Sequence, residues 1–294
     1  MGIVILSGIL SSLSSLSKPK PISPTSGTST PIYPTSPPTR LPSKFIACVR
    51  RPESAKKVHQ ALPPYLVSSP TSLSILQNNN VSAVQQADIV LLSCKPICAG
   101  ITIEQLYSEL FTEQTKGLTD IASASNPCTI VRAMPNTASQ INESMTVIST
   151  STPPLPELTT ALITWIFTRI GEVVFLFPST IDAYTALCGS GPVFFFALML
   201  EATTDGAVAM GLPRAEAQKM AAQTMRGAAG LILLGEHPAL LGDKVSTLGV
   251  CTIWGLSVLE EGRVRGTVAR AVREATLVAG QLGRGVVGAN GTSF

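Results

Sequence analysis

The chain has 294 residues, enough for one or two domains with a real buried core. Only 13% of them are charged and the net charge is +3, which excludes a nucleic-acid surface built on excess cations. Mean hydropathy is positive, yet no uncharged apolar run reaches the roughly 18 residues that a membrane-spanning helix needs: Trp165–Phe177 is broken by Arg169 and Glu172, and Val193–Met210 by Glu201 and Asp205.

Met1 to Leu6 is apolar, but no basic stretch precedes it, so a secretory signal is not expected. Ile5, Ile9, Leu13 and Leu16 fall at helical spacing and predict a helix over the first 16 residues. Lys18–Ser43 is rich in Pro, Ser and Thr and nearly free of aromatics. It cannot bury enough to order itself and is read as a disordered insert without chemistry. Phe45–Val49 is a short buried strand, followed at once by Arg50-Arg51-Pro52. In a nucleotide-binding βαβ unit the end of the second strand meets the adenosine ribose, where an acidic residue suits a free hydroxyl and arginine suits a phosphate. Two arginines there lean towards NADPH; a solvated basic turn explains them equally well.

A helix is expected from Glu53 to Leu62, ended by Pro63-Pro64, and another helical turn from Asn78-Asn79-Asn80 towards Asp88. Ile89-Val90-Leu91-Leu92-Ser93-Cys94 is apolar on both faces, as a parallel strand between helices is, and Lys95-Pro96 ends it. Ile97-Cys98-Ala99-Gly100-Ile101 reads as the next strand and turn, opening a helix over Thr102–Leu110. Thr129 to Asn136 is strand then turn, and Met145–Ser149 and Val173–Phe177 are further strands. Strands alternating with helices give a parallel α/β sheet.

From Ala186 on, the chain reads as all helix, with nearly every stop marked by Gly or Pro. Gly189-Ser190-Gly191-Pro192 predicts a helix start, with Ser190 as cap and Pro192 near the first helical position. That helix ends at Gly211, and Leu212-Pro213-Arg214 launches a second that reaches Gly235. A short segment follows His237-Pro238; further helices cover Ile253–Glu261 and Thr267–Leu282. Glu201 and Asp205 share one face of the first helix, which is otherwise apolar almost all round and must be buried. Its cover is either the core of its own unit or a second copy; pairing with a second copy is the expectation. Between the short segment and the helix at Ile253 lies a loop with the hydroxyls of Ser246, Thr247 and Thr252 around Gly249. The unpaired N–H groups of Cys251, Thr252 and Ile253 form either a carboxylate site, with no metal needed, or an ordinary capping loop.

Several of these residues recur together in one known family. Leu187 to Pro192, Asp205-Gly206, Gly211-Leu212-Pro213, His237-Pro238, Asp243-Lys244-Val245-Ser246, Gly249, Thr252 and Leu259-Glu260 with Gly262 resemble, in this order, the signature region of the pyrroline-5-carboxylate reductases. The likeness extends upstream through Val131–Thr137. It implies an NAD(P)H-dependent reduction of 1-pyrroline-5-carboxylate to L-proline, the last step of proline biosynthesis, in a cytoplasmic homodimer or higher homo-oligomer. It implies a Rossmann-like α/β domain over 1–178, with the insert at 18–43, and an all-α domain for dimerisation and substrate over 179–294. Thr252 would be the catalytic position, and Ser246, Thr247, Gly249, Val250, Cys251 and Thr252 would hold the substrate. Cofactor contacts would fall at Met1, Gly2, Arg50, Arg51, Asn80, Cys94, Lys95, Pro96, Cys98, Ala99 and Asn136, with NADPH or NADH as the cofactor. The six cysteines show no zinc-like pattern and read as reduced thiols.

The chain departs from the family in four places. The family opens with a strand running into Gly-x-Gly-x-x-Gly, and Met1-Gly2 corresponds to the tail of that motif. Lys95-Pro96 is followed almost directly by Ile97, where a crossover between parallel strands needs a dozen residues or more. Leu248-Gly249-Val250 stands in place of Pro-Gly-Gly, and Lys244 in place of asparagine. The expectation is therefore an incomplete dinucleotide domain with weak NADPH binding. Two rivals are a related keto- or hydroxy-acid reductase, which would need a lysine that the first C-terminal helix lacks, and an inactive homologue that serves only as an oligomerising scaffold.

Overall fold

The computed structural model describes residues 1–14, 38, 41–62, 72–93, 131–246 and 251–291. Most of the 18–43 insert, the expected strand and helix at Ile97–Leu110, the start of the Thr129 strand and the centre of the Ser246–Thr252 loop lie outside the described residues. The described residues fall into two compact units. The first holds the amino-terminal elements up to Val174; the second holds those from Phe175 on, with Met134–Asn136 counted in it.

The amino-terminal helix α1, Gly2–Ser14, buries the periodic set read from the sequence: Ile5, Ile9 and Leu13, with Leu10 beside them. Leu10 packs with Val58 of α2 (Pro52–Ala61) and with Leu62. Beneath them lie β1 (Lys44–Val49) and β2 (Ser72–Gln77), parallel and in register Phe45↔Leu73 and Ala47↔Ile75. Alternation decides which side chains meet the helices: Phe45, Ala47 and Val49 with Leu73 and Ile75 share the core face. A short helix α3, Asn80–Gln85, follows β2.

The second sheet has the order β3-β4-β5, with β3 at Ala133–Met134, β4 at Ser144–Ser149 and β5 at Gly171–Leu176. Val147 and Ile148 of β4 are fully buried. The helix α4, Glu157–Thr168, buries Ala161, Ile163, Ile166 and Phe167. Gly8 of α1 lies so close to the start of β5 that a Cβ there would sit 2.9 Å from Ile170 Cγ2.

One expected strand is missing. Ile89 to Ser93 carries no regular structure, and Ile89, Val90, Leu91 and Leu92 are 44–51% exposed. A strand needs a neighbour to satisfy its N–H and C=O groups. Here β1 and β2 pair with each other and β3, β4 and β5 among themselves, and no strand among the described residues bridges the two sheets. Among the described residues, the single parallel sheet expected from the sequence is thus in two pieces, and the apolar run at Ile89–Leu92 has no strand partner.

The second unit is helical. Its first helical run enters at Pro178 through a 3₁₀ turn (Pro178–Thr180) and α5 (Ile181–Tyr184). It widens into π-helical segments at Thr185–Ser190 and Pro192–Ala197 and tightens into α6, Leu198–Ala209. Ser190 is therefore not a helix cap but an interior residue, and Gly191 is helical at φ −51°, ψ −40°. The proline at the true entry is Pro178. Inside a helix Pro192 lacks an N–H and crowds the preceding turn, and the wider π register relieves that conflict.

Downstream, the stops read from the sequence hold. Gly211 (φ +95°) and Gly235 (φ +101°) take left-handed backbones that a side chain would strain. Between and beyond them run α7 (Arg214–Leu233), α8 (Pro238–Val245), α9 (Cys251–Glu261) and α10 (Val264–Gly283). Asp205 bonds Arg214 Nη1 at 2.7 Å and so links α6 to α7, while Glu201 faces outward. The stretch Pro192–Ala209 is long enough and, on average, apolar enough to cross a membrane, though it carries Glu201 and Asp205. Only 6% of it is buried. An apolar groove of about 220 Å³ runs between Phe194, Phe195, Leu198 and Met199 on this stretch and Val264 and Val268 of α10.

Candidate functional site

In the first unit, the expected cofactor residues gather at strand and helix ends. Arg50 and Arg51 directly follow β1, both exposed, with Arg51 in extended backbone as the residue before α2. Asn80 opens α3, after Asn78 and Asn79 at the end of β2. Because β1 and β2 are parallel, both sets lie at carboxyl strand ends, where α/β proteins bind ligands. The two ends are tied together: Asn78 N–H donates to Val49 O at 3.1 Å.

Met1 and Gly2 form the mouth of α1. Val4 and Ile5 N–H donate to Met1 O at 2.9 and 3.1 Å, which leaves the amides of Gly2 and Ile3 outside the helix ladder. Such amides, at the positive end of the helix dipole, suit phosphate. A Cβ on Gly2 would sit 3.0 Å from Ser93 Cβ and Oγ, and Ser139 Oγ donates to Met1 Sδ at 3.4 Å. The fold therefore brings Met1, Gly2, Ser93 and Ser139 together. Neither serine stands out in the sequence; only the glycine hinted that another chain segment approaches. The close approach at Gly2 and the two cationic side chains at Arg50 and Arg51 fit a phosphorylated dinucleotide. Cys94, Lys95, Pro96, Cys98 and Ala99 lie outside the described residues.

In the second unit, Asn136 is buried just beyond β3. Ser246 follows α8, and its Oγ is buried with no hydrogen-bond partner among the described residues. Thr247, Gly249 and Val250 lie outside the described residues. Cys251 and Thr252 open α9, the first exposed and the second half-buried, so the first-turn amides and the Thr252 hydroxyl stand at one helix mouth. Helix α9 is apolar yet buries none of its residues; Trp254 is 73% and Val258 67% exposed.

His237, of the His237-Pro238 pair noted in the sequence, has a structural part as a helix cap, which the sequence reading did not specify. Its Nδ1 accepts the Ala239 N–H at 3.3 Å and caps α8. The signal was available in His-Pro: a proline at the first helical position puts the residue before it at the cap. Among the described residues no group of three His, Cys, Asp or Glu side chains could hold a metal. Cys48, Cys188 and Cys251 are free thiols, and burial pushes the first two up, which keeps them protonated.

Comparison with known proteins bears on the same residues. The family model described as "Pyrroline-5-carboxylate reductase dimerisation" matches residues 178–282. The pyrroline-5-carboxylate reductase of Lophium arboricola is 57% identical, over 100% of this chain and 94% of its own. That match spans 322 residues, so the relative carries internal residues with no counterpart here. The Neurospora crassa enzyme of that name is 54% identical over 97% of this chain and 91% of its own, and that of Schizosaccharomyces pombe 39% over 83% and 87%. Among solved structures, a pyrroline-5-carboxylate reductase from Coxiella burnetii superposes with a TM-score of 0.64 at 24% identity, covering 81% of this chain and 97% of its own. That likeness is one of fold, a Rossmann-like domain followed by a helical one. With relatives this similar along its whole length, the chain belongs to the pyrroline-5-carboxylate reductase family.

Proposed function

We propose that this chain reduces 1-pyrroline-5-carboxylate to L-proline with NADPH or NADH, as a cytoplasmic homodimer or higher homo-oligomer. The observation that carries the reading is the helix mouth at Cys251 and Thr252 in a chain that is 57% identical to a protein of that name. The substrate has a ring C=N bond and a carboxylate. When bound, the nicotinamide supplies hydride to the imine carbon. A protonated imine is already electrophilic, so the protein mainly has to orient the two reactants. The amides of Cys251 and Thr252 hold the carboxylate and the Thr252 hydroxyl fixes the ring. Gly249 keeps the approach open, with Ser246, Thr247 and Val250 around it. Arg50 and Arg51 receive the adenosine phosphate, Met1 and Gly2 the pyrophosphate. Asn80, Cys94, Lys95, Pro96, Cys98, Ala99 and Asn136 line the remainder of the cofactor site. We place the change from dinucleotide to substrate and dimerisation domain near residue 178. A second copy covers the bare apolar faces of α6 and α9.

The experiment is NADPH or NADH oxidation, followed by absorbance, with 1-pyrroline-5-carboxylate present. Turnover is expected, and Thr252→Val is expected to lower kcat/KM by about 10- to 100-fold, the loss of one hydrogen bond near a charge. No turnover with either nucleotide would sink the reading in favour of an oligomerising scaffold. A second expectation follows from the divided sheet. The strand that carries a dinucleotide across such a site is absent among the described residues, so NADPH is expected to bind weakly. Saturable quenching of NADPH fluorescence at micromolar levels would count against that.

A further inference from the structure

We infer that Asn290 is a self-modifying site: its side chain deamidates through the Gly291 nitrogen, and the product frees a strap of chain from α10. Asn290 is exposed, and no other asparagine in the sequence is followed by glycine.

The strap is the stretch 284–291, which follows α10 and folds back on it. Gly285 (φ +74°) and Gly288 (φ +72°) take left-handed backbones and turn the chain round. Gln281 holds both sides of the turn. Its carbonyl accepts the Val286 N–H at 3.0 Å, and its side-chain Oε1 accepts the Asn290 N–H at 2.8 Å. Gly291 then lies so close to α10 that a Cβ there would fall on Glu274 Oε2. Glu274 and Gln281 stand two turns apart on one face of α10, and the end of the strap lies over that face. Every residue from 284 to 288 is exposed, so little buried surface holds the strap.

The close approach to Glu274 requires glycine at 291, and glycine there makes Asn290 reactive. Without a Cβ, the Gly291 nitrogen is unshielded and its backbone is free to bring it to Asn290 Cγ. Among the described residues the Gly291 N–H donates to no acceptor, so base can take its proton. In the step, the Gly291 nitrogen bonds to Asn290 Cγ. The bond from Cγ to the side-chain nitrogen breaks, and ammonia leaves carrying the proton that the Gly291 nitrogen lost. Water opens the cyclic imide at either carbonyl, giving aspartate or isoaspartate. No electrons change hands, and no reactant other than water is consumed.

Either product places a carboxylate beside the residue that meets Glu274, and like charges repel. Isoaspartate also adds a carbon to the main chain between the Gln281 tie and the Glu274 contact, where the fit has no room for a single Cβ. Deamidation therefore lifts the strap and uncovers the α10 face that bears Glu274 and Gln281.

The test ages the full chain in mildly alkaline buffer, as wild type and as Asn290→Gln, whose longer side chain closes the larger ring far more slowly. The substitution leaves the backbone N–H that Gln281 accepts in place. Peptide mass spectrometry reads conversion at residue 290, and amide hydrogen exchange reads the protection of Val286 and Asn290. Aged wild type is expected to be converted at Asn290 well ahead of Asn142, which precedes Glu143. Its exchange over 286–290 should be about tenfold faster than in fresh protein. Asn290→Gln should keep both its amide and its protection. Aged wild type with Asn290 intact, or converted no faster than Asn142, would overturn the modification. Conversion with unchanged exchange, or an equal rise in Asn290→Gln, would overturn the release of the strap.

Discussion

Gly171→Ala is expected to destroy the fold of the first unit. Gly171 opens β5 with φ +147°, a region closed to residues with a side chain. A Cβ built there falls inside the backbone of Ser144, where β4 begins. Both objections are rigid, because the obstacle is main chain held in a sheet. Ser144 N–H donates to Ile170 O at 3.0 Å, so the two strands cannot separate without breaking the junction. The cost is on the order of 5 kcal/mol, comparable to the whole stability of a small domain. Soluble yield and the midpoint of urea unfolding measure it, and a variant with the wild-type midpoint would refute the account.

A charge on the apolar surface of the helical unit should have the next largest effect. Leu198 is 57% exposed and borders the groove between the Pro192–Ala209 stretch and α10. On a free surface Leu198→Asp would change stability by about 0.5 kcal/mol at most. Beneath a second copy it buries an unpaired carboxylate and costs several kcal/mol. The expected result is a shift to monomer in analytical ultracentrifugation, with a fall in helical content on mild heating. An unchanged dimer of unchanged melting temperature would show that this face is not the one covered.

Much of this architecture was legible in the sequence, and the failures share a cause. The periodic Ile5, Ile9 and Leu13 gave α1, and Gly211 and Gly235 gave the ends of two helices, because each is a local signal. Ile89–Cys94 has a composition that favours a strand. Strand formation is not local, and its neighbour is missing among the described residues. Ser190-Gly191-Pro192 was read as a start because proline inside a helix is rare, and a π register that tolerates it leaves no mark in composition. For the site, Thr252 at the head of α9 and Arg50 and Arg51 after β1 stand at the element ends the sequence indicated. The meeting of Gly2 with Ser93 and of Met1 with Ser139 joins residues far apart in the chain, which no spacing rule reaches.

The bare run Ile89–Leu92 also bears on how the purified protein behaves when crowded. An exposed aliphatic run with no strand partner among the described residues is a template for the same run on a neighbouring molecule, and stacked runs grow into fibres. Concentrated stocks should therefore gain thioflavin fluorescence over time, and a lysine gatekeeper at Val90 should suppress it; equal growth with and without that lysine would place the sticky segment elsewhere.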